Sequence, residues 1–141
     1  MSLLNVFDVS GSGMAAQTLR LNATASNIAN AESVAKNPED TYRARYPVFE
    51  ASVIDRLNSS DESASSAAVR VPGIIESDKP LTLRYEPDHP YANEEGYVTY
   101  PNVSVVEEMA NMISASRSFQ INVEVMNTAK TLAERVLTLG Q

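Results

Sequence analysis

The chain has no cysteine and no tryptophan, a single histidine, five glycines, and no basic residue before Arg20. Without cysteine there is no disulfide, no thiolate nucleophile and no zinc-thiolate centre, whatever the compartment. One histidine leaves little from which to build any other metal cluster, and none is expected. No run approaches the roughly 18 apolar residues of a membrane span. The first nineteen residues, whose one charged side chain is the acidic Asp8, lack the basic start of a secretory signal. If the protein leaves the cytoplasm, it is expected to do so without a cleaved signal peptide. Bases are also outnumbered, 11 against 18 acids, and the net charge of −7 argues against affinity for nucleic acid or an anionic membrane. It favours solubility or a basic protein partner.

What is present divides by composition. All seven prolines and all six tyrosines lie between Pro38 and Pro101. Beyond them, Ser104 to Leu139 contains neither glycine nor proline and reads as one helix, with a Ser104/Glu107 capping box and Gly140 as its stop. At about 1.5 Å per residue it is roughly 50 Å long. Steps of 100° place Val105, Met112, Phe119, Val123, Met126 and Leu137 on one line, and Ile121, Val125, Leu132, Val136 and Leu139 on nearly the opposite side. An arc of smaller residues lies between them: Ala115, Ser118, Asn122, Ala129 and Ala133. Two apolar sides require more than one neighbour, in a monomeric bundle or in a contact between subunits.

Within residues 1–31, Leu4, Phe7, Gly11, Met14, Thr18, Leu21, Ala25 and Ile28 alternate spacings of three and four, a coiled-coil-like seam. Gly11 and Gly13 weaken its early turns by about 1 kcal/mol each, so these turns should fray unless clamped. The Phe119 line, with Val123 and Met126, is assigned to the contact with Leu4, Phe7, Met14, Leu21 and Ile28. The side bearing Ile121, Val125, Leu132, Val136 and Leu139 is then left for other subunits, the converse assignment being the alternative.

In between, Tyr42 to Val53 is expected as strand, with a helix over Val48 to Leu57 as competitor. The serine-rich 58–66 stretch is a loop, and Val69 to Ile75, around Pro72, an edge strand. Leu81, Leu83 and Tyr85 predict a half-buried strand paired with Tyr97 to Tyr100. The expected class is α+β, mainly α: terminal helices 1–31 and 104–141 packed as a pair, with a β-rich central module at 32–103.

Chemistry is sparse. His89 sits in Pro87-Asp88-His89-Pro90, a solvated turn. Glu94-Glu95 and Glu107-Glu108 are adjacent and point apart, so they form no catalytic dyad. Gly11-Ser-Gly13 lacks the spacing of a phosphate loop, and the Asn22, Asn58 and Asn102 sequons are of a kind common by chance. No enzyme and no cofactor are expected.

The segment Leu19-Arg-Leu-Asn-Ala-Thr-Ala-Ser-Asn-Ile-Ala-Asn-Ala31 resembles the N-terminal signature of bacterial flagellar axial proteins, the rod, hook and hook-associated subunits. Pro101-Asn-Val-Ser-Val-Val-Glu-Glu-Met109, the run from Ser114 to Lys130, Leu137-Thr-Leu-Gly-Gln141 and the turn Leu83 to Pro90 are similar to the rod members of that family. Phe119 stands where those members usually carry tyrosine, and Ala51 to Ala68 carries no motif by which the sequence alone aligns it with them. The motif residues carried over are Ser26, Asn27, Ile28, Ala29, Asn30, Asn122 and Asn127. The resemblance implies a structural subunit of the proximal rod, exported through the flagellar type III apparatus and polymerised in the periplasm. Its implied partners are itself, other rod subunits, the export-gate adaptor and surrounding ring proteins. A distal-rod or hook-type protein, or less plausibly a small hydrolase, is the alternative.

Overall fold

A computed structural model describes residues 3–54 and 66–139, so most of the expected 58–66 loop lies outside the described residues. The order is α1 (Leu3–Ala29), a 3-10 turn (Pro38–Asp40), β1 (Arg45–Ile54), β2 (Ser66–Glu76), β3 (Thr82–Tyr85), β4 (Tyr97–Tyr100) and α2 (Val105–Leu139). This is the expected α+β, mainly helical class. Two compact units are present. The first comprises Met1–Leu19, Val48–Gly73 and Ser114–Gln141, and the second Arg20–Pro47 and Ile74–Ile113.

β1 forms as strand rather than the competing helix, as its β-branched and aromatic content favours. It pairs with β2, which is longer than the expected edge strand. A two-stranded sheet consists only of edges, so Pro47 and Pro72 can be tolerated within it.

Helix α1 runs unbroken through Gly11 and Gly13. In the first unit a Cβ on Gly13 would fall 2.9 Å from the Asn122 amide nitrogen, and one on Gly11 3.9 Å from the Met126 methyl. The glycines that cost helix propensity thus admit α2 at close range. The pairing of residue 11 with 126 and 13 with 122 makes the helices antiparallel there. The start of α2 follows Pro101 as expected, with the Glu108 N–H bonded to the Ser104 carbonyl at 2.9 Å and the Glu107 N–H 3.5 Å from Ser104 Oγ.

In the second unit, β3 and β4 are antiparallel, with Thr82 opposite Tyr100, Arg84 opposite Val98 and Tyr85 opposite Tyr97. Their buried face is the reverse of the one expected: Val98 and Tyr100 are buried, while Leu83 and Tyr85 stand in solvent. Because strand side chains alternate with period two, β4 fixes which face of β3 points inward. On that inner face the Arg84 guanidinium lies 4.2 Å over the Tyr100 ring and reaches Glu32 at 3.1 Å.

Gly96 closes the hairpin with φ of 82°, and a Cβ there would lie 2.9 Å from the Tyr85 ring. Gly96→Ala should destabilise the hairpin by about 1–3 kcal/mol through left-handed strain and displacement of that ring. Faster hydrogen exchange at the Glu86 amide, which donates to the Gly96 carbonyl at 2.9 Å, is the readout.

Candidate functional site

The first unit presents a helix with one closed and one open side. On α2, Ala115, Asn122 and Ala129 recur every seven residues. Ala115 and Ala129 are buried and Asn122 is half-buried, its amide donating to the Ser118 carbonyl at 3.0 Å. Phe119, Val123 and Met126 are half-buried beside this line. Ile121, Val125, Leu132, Val136 and Leu139 are all exposed, from 42% at Val125 to 87% at Leu139. Val6, Ile121, Val125 and Leu132 line an open groove of about 420 Å³.

Along α1 the deeply buried residues are Ser10, Ala16, Ala23, Thr24 and Asn27. They centre about a third of a turn from the Leu4 to Ile28 seam, at 100° per residue. Phe7, Met14, Leu21 and Ile28 are half-buried at the margin, Thr18 and Ala25 are exposed, and the Leu4 side chain lies outside the described residues. Small or hydrogen-bonding side chains fill the most buried line, and the larger apolar residues flank it.

The second unit contains a polar junction built on the family motif. Asn27 is fully buried. Its Oδ1 accepts from the Tyr42 hydroxyl at 2.8 Å and the Arg45 N–H at 2.9 Å, and its Nδ2 donates to the Arg45 carbonyl and Glu108 Oε2, both at 3.0 Å. All four hydrogen bonds available to an asparagine amide are therefore made. The other Glu108 oxygen accepts from the Tyr46 hydroxyl at 3.0 Å. The buried carboxylate also lies in the first turns of α2, where the unpaired N–H groups favour negative charge. Burial first, then the Glu108 hydrogen bond and charge, push the Tyr46 phenol up to about 12, so it remains a donor through neutral pH.

Asn102 makes a second clamp, accepting from the Ala44 N–H at 2.8 Å and donating to the Lys79 carbonyl at 2.8 Å and the Ser77 carbonyl at 3.2 Å. Arg20 bonds Asn111 at 3.0 Å. In the remaining motif, Asn30 donates to the Ser26 carbonyl at 2.8 Å, Ile28 is half-buried, and Ser26, Ala29 and Asn127 are exposed.

The Asn27–Glu108 junction was not expected from sequence, where Glu108 reads only as a favourable charge in the helix's first turn. Its signal was there: Glu108 begins the seven-residue series through Ala115, Asn122 and Ala129.

His89 accepts the Tyr91 N–H at Nδ1 at 3.1 Å, within its own turn. No group of three or more metal-binding side chains occurs among the described residues. His89→Ala should leave the stability of the fold within about 0.5 kcal/mol of the parent, as for a loop residue of this kind. A denaturant melt checks this.

Both helical ends match family models. Residues 7–34 match one described as flagella basal body rod protein, and residues 94–139 one described as flagellar basal body rod FlgEFG protein C-terminal. These matches define the class, a flagellar basal-body rod protein. Over all 141 residues and the full length of both relatives, the chain is 49% identical to the flagellar basal-body rod protein FlgC of Escherichia coli O6:H1 and 48% identical to that of Salmonella typhimurium. It is 40% identical to the FlgC of Aquifex aeolicus over 96% of this chain and 95% of that one. The chain belongs to the FlgC family of flagellar basal-body rod proteins, structural subunits of the basal body.

Proposed function

We propose that this rod subunit forms part of the proximal rod, polymerising through its terminal helices into the drive shaft and the wall of the export channel. The observation that carries the reading is the unfilled apolar stripe of Ile121, Val125, Leu132, Val136 and Leu139, on a helix whose adjoining arc is closed at the buried Ala115 and Ala129. Each large side chain desolvated there contributes about 1.5–3 kcal/mol to association, against the entropy of ordering the ends. The half-buried Phe7, Met14, Leu21, Ile28, Phe119, Val123 and Met126 belong to the intrachain contact in this reading. The protein acts without catalysis or cofactor.

Its partners are further copies of itself, other rod subunits and the export-gate adaptor, with ring proteins around it in the periplasm. It reaches them through the flagellar type III apparatus. No helix among the described residues is long and apolar enough to cross a membrane. The short central region and the Pro87 to Pro90 turn favour the proximal rod over distal-rod or hook members. In basal bodies isolated from cells carrying a tagged chain, the tag is expected in the rod segment nearest the export apparatus. A tag confined to the distal rod or hook would overturn the assignment.

A further inference from the structure

The β3–β4 hairpin has an outer face that contributes nothing to the fold's interior. Leu83, Tyr85 and Tyr97 are exposed on it, with Tyr85 at 65%, and Tyr91 stands exposed in the connecting loop. The Tyr85 and Tyr97 rings meet edge to face at 5.4 Å. The loop that sets these rings is tied down by main-chain hydrogen bonds and by the Asn93 side chain. Asn93 Oδ1 accepts the N–H groups of Glu95 at 3.0 Å and Tyr97 at 2.8 Å, the Asn93 N–H donates to the Tyr97 carbonyl at 2.9 Å, and the Glu86 N–H donates to the Gly96 carbonyl at 2.9 Å. An aromatic surface held this rigidly loses little conformational entropy on binding.

Charge says what it fits. From Tyr85 to Tyr100 there is no lysine or arginine, while Glu86, Asp88, Glu94 and Glu95 supply four acids. A second copy would bring the same acidic hairpin on a chain of net charge −7, so like charges oppose self-pairing of this face. The inner face of the same hairpin already displays the complementary chemistry, with the Arg84 guanidinium over the Tyr100 ring and paired with the Glu32 carboxylate. The outer face offers tyrosine rings with carboxylates in the same loop and lacks the arginine.

We propose that the outer face of the β3–β4 hairpin is a docking surface for an arginine-bearing segment of a different, basic protein. The guanidinium stacks on Tyr85 or Tyr97, and Asp88, Glu94 and Glu95 neutralise it. The proposal rests on the hairpin alone and is independent of where in the rod the chain sits.

The test is a calorimetric titration of the full-length chain with an arginine-rich peptide and its lysine counterpart, a readout that does not depend on the tyrosines being replaced. The arginine peptide is expected to bind more tightly, and Tyr85→Leu with Tyr97→Leu to weaken it about tenfold at unchanged net charge. Tyr85→Phe with Tyr97→Phe, which keep the rings and guard against a folding defect, should restore binding. Glu94→Gln with Glu95→Gln should weaken it, and Glu124→Gln with Glu134→Gln should not. Equal binding of the arginine and lysine peptides, or equal loss from both pairs of acid changes, would show nonspecific charge attraction and overturn the proposal. Tyrosine-dependent dimerisation of the chain in the absence of peptide would also overturn it, by making a second copy the occupant.

Discussion

Val125→Asp is expected to leave the free chain's circular dichroism and thermal melt close to the parent's while stopping rod growth and motility. Val125 is 42% exposed, on the open side of α2 between Ile121 and Leu132, so the new carboxylate can remain hydrated in the monomer. If this side meets another subunit, the same carboxylate must be desolvated against apolar side chains, at a cost of several kcal/mol per contact. A cost of that size lowers association by orders of magnitude, and a polymer repeats it at every subunit. Val123→Asp is the contrast. Val123 is half-buried beside Phe119 and Met126, so a charge there should also lower the helicity of the free chain. Equal damage to monomer and assembly by both substitutions would contradict a helix with one internal and one external side. A rod that grows with Val125→Asp in place would show that this side meets no partner.

Asn27→Leu should cost about 3–5 kcal/mol, the largest effect expected of any single change in the second unit. Leucine is close to asparagine in size but returns none of its four hydrogen bonds. The Tyr42 hydroxyl, both main-chain polar groups of Arg45 and one Glu108 oxygen would then lose their partner together. The carboxylate is the costliest of these because it is charged and buried. Glu108→Gln should cost less, about 1 kcal/mol, because the amide oxygen can accept from Asn27 and the Tyr46 hydroxyl can rotate to accept from the amide. Hydrogen exchange at the Arg45 amide reports on the junction directly, since that N–H donates to Asn27 Oδ1 at 2.9 Å. Near-parental protection in Asn27→Leu would remove the junction's structural role.

The junction also has a pH signature. The Tyr46 phenol is raised from its ordinary 10 to about 12 in the fold. Its contribution is therefore complete below pH 10 and lost as pH rises through about 12. Tyr46→Phe should remove that alkaline component of unfolding.

The parts of this fold legible in sequence are those governed by period and punctuation. Both long helices, the Ser104 start and the pairing of β3 with β4 follow from apolar spacing, glycine and proline. Which side of an element is buried was less legible. A wheel weighted by hydrophobicity draws the eye to Leu21 and Ile28, whereas the most buried residues on α1 include Ala16, Ala23, Thr24 and Asn27, where small size or hydrogen bonding matters more than apolarity. On β3, Leu83 and Tyr85 look like core residues, yet the identity of the inner face depends on Val98 and Tyr100 across the hairpin. The buried polar junction was the least legible, because Asn27 and Glu108 are 81 residues apart and polar, and only the fold brings them together.

The absence of cysteine provides the most direct test of the outward face of α2. With Val125→Cys as the sole thiol in an otherwise functional chain, maleimide labelling can be compared between the free protein and isolated basal bodies. The account predicts rapid labelling of the free chain and strong protection in the assembled rod, while a thiol placed at the exposed Asn127 of the same helix, well round from Val125, controls for general access. Equal labelling of Cys at position 125 in both states would contradict the claim that this helix face is where subunits meet.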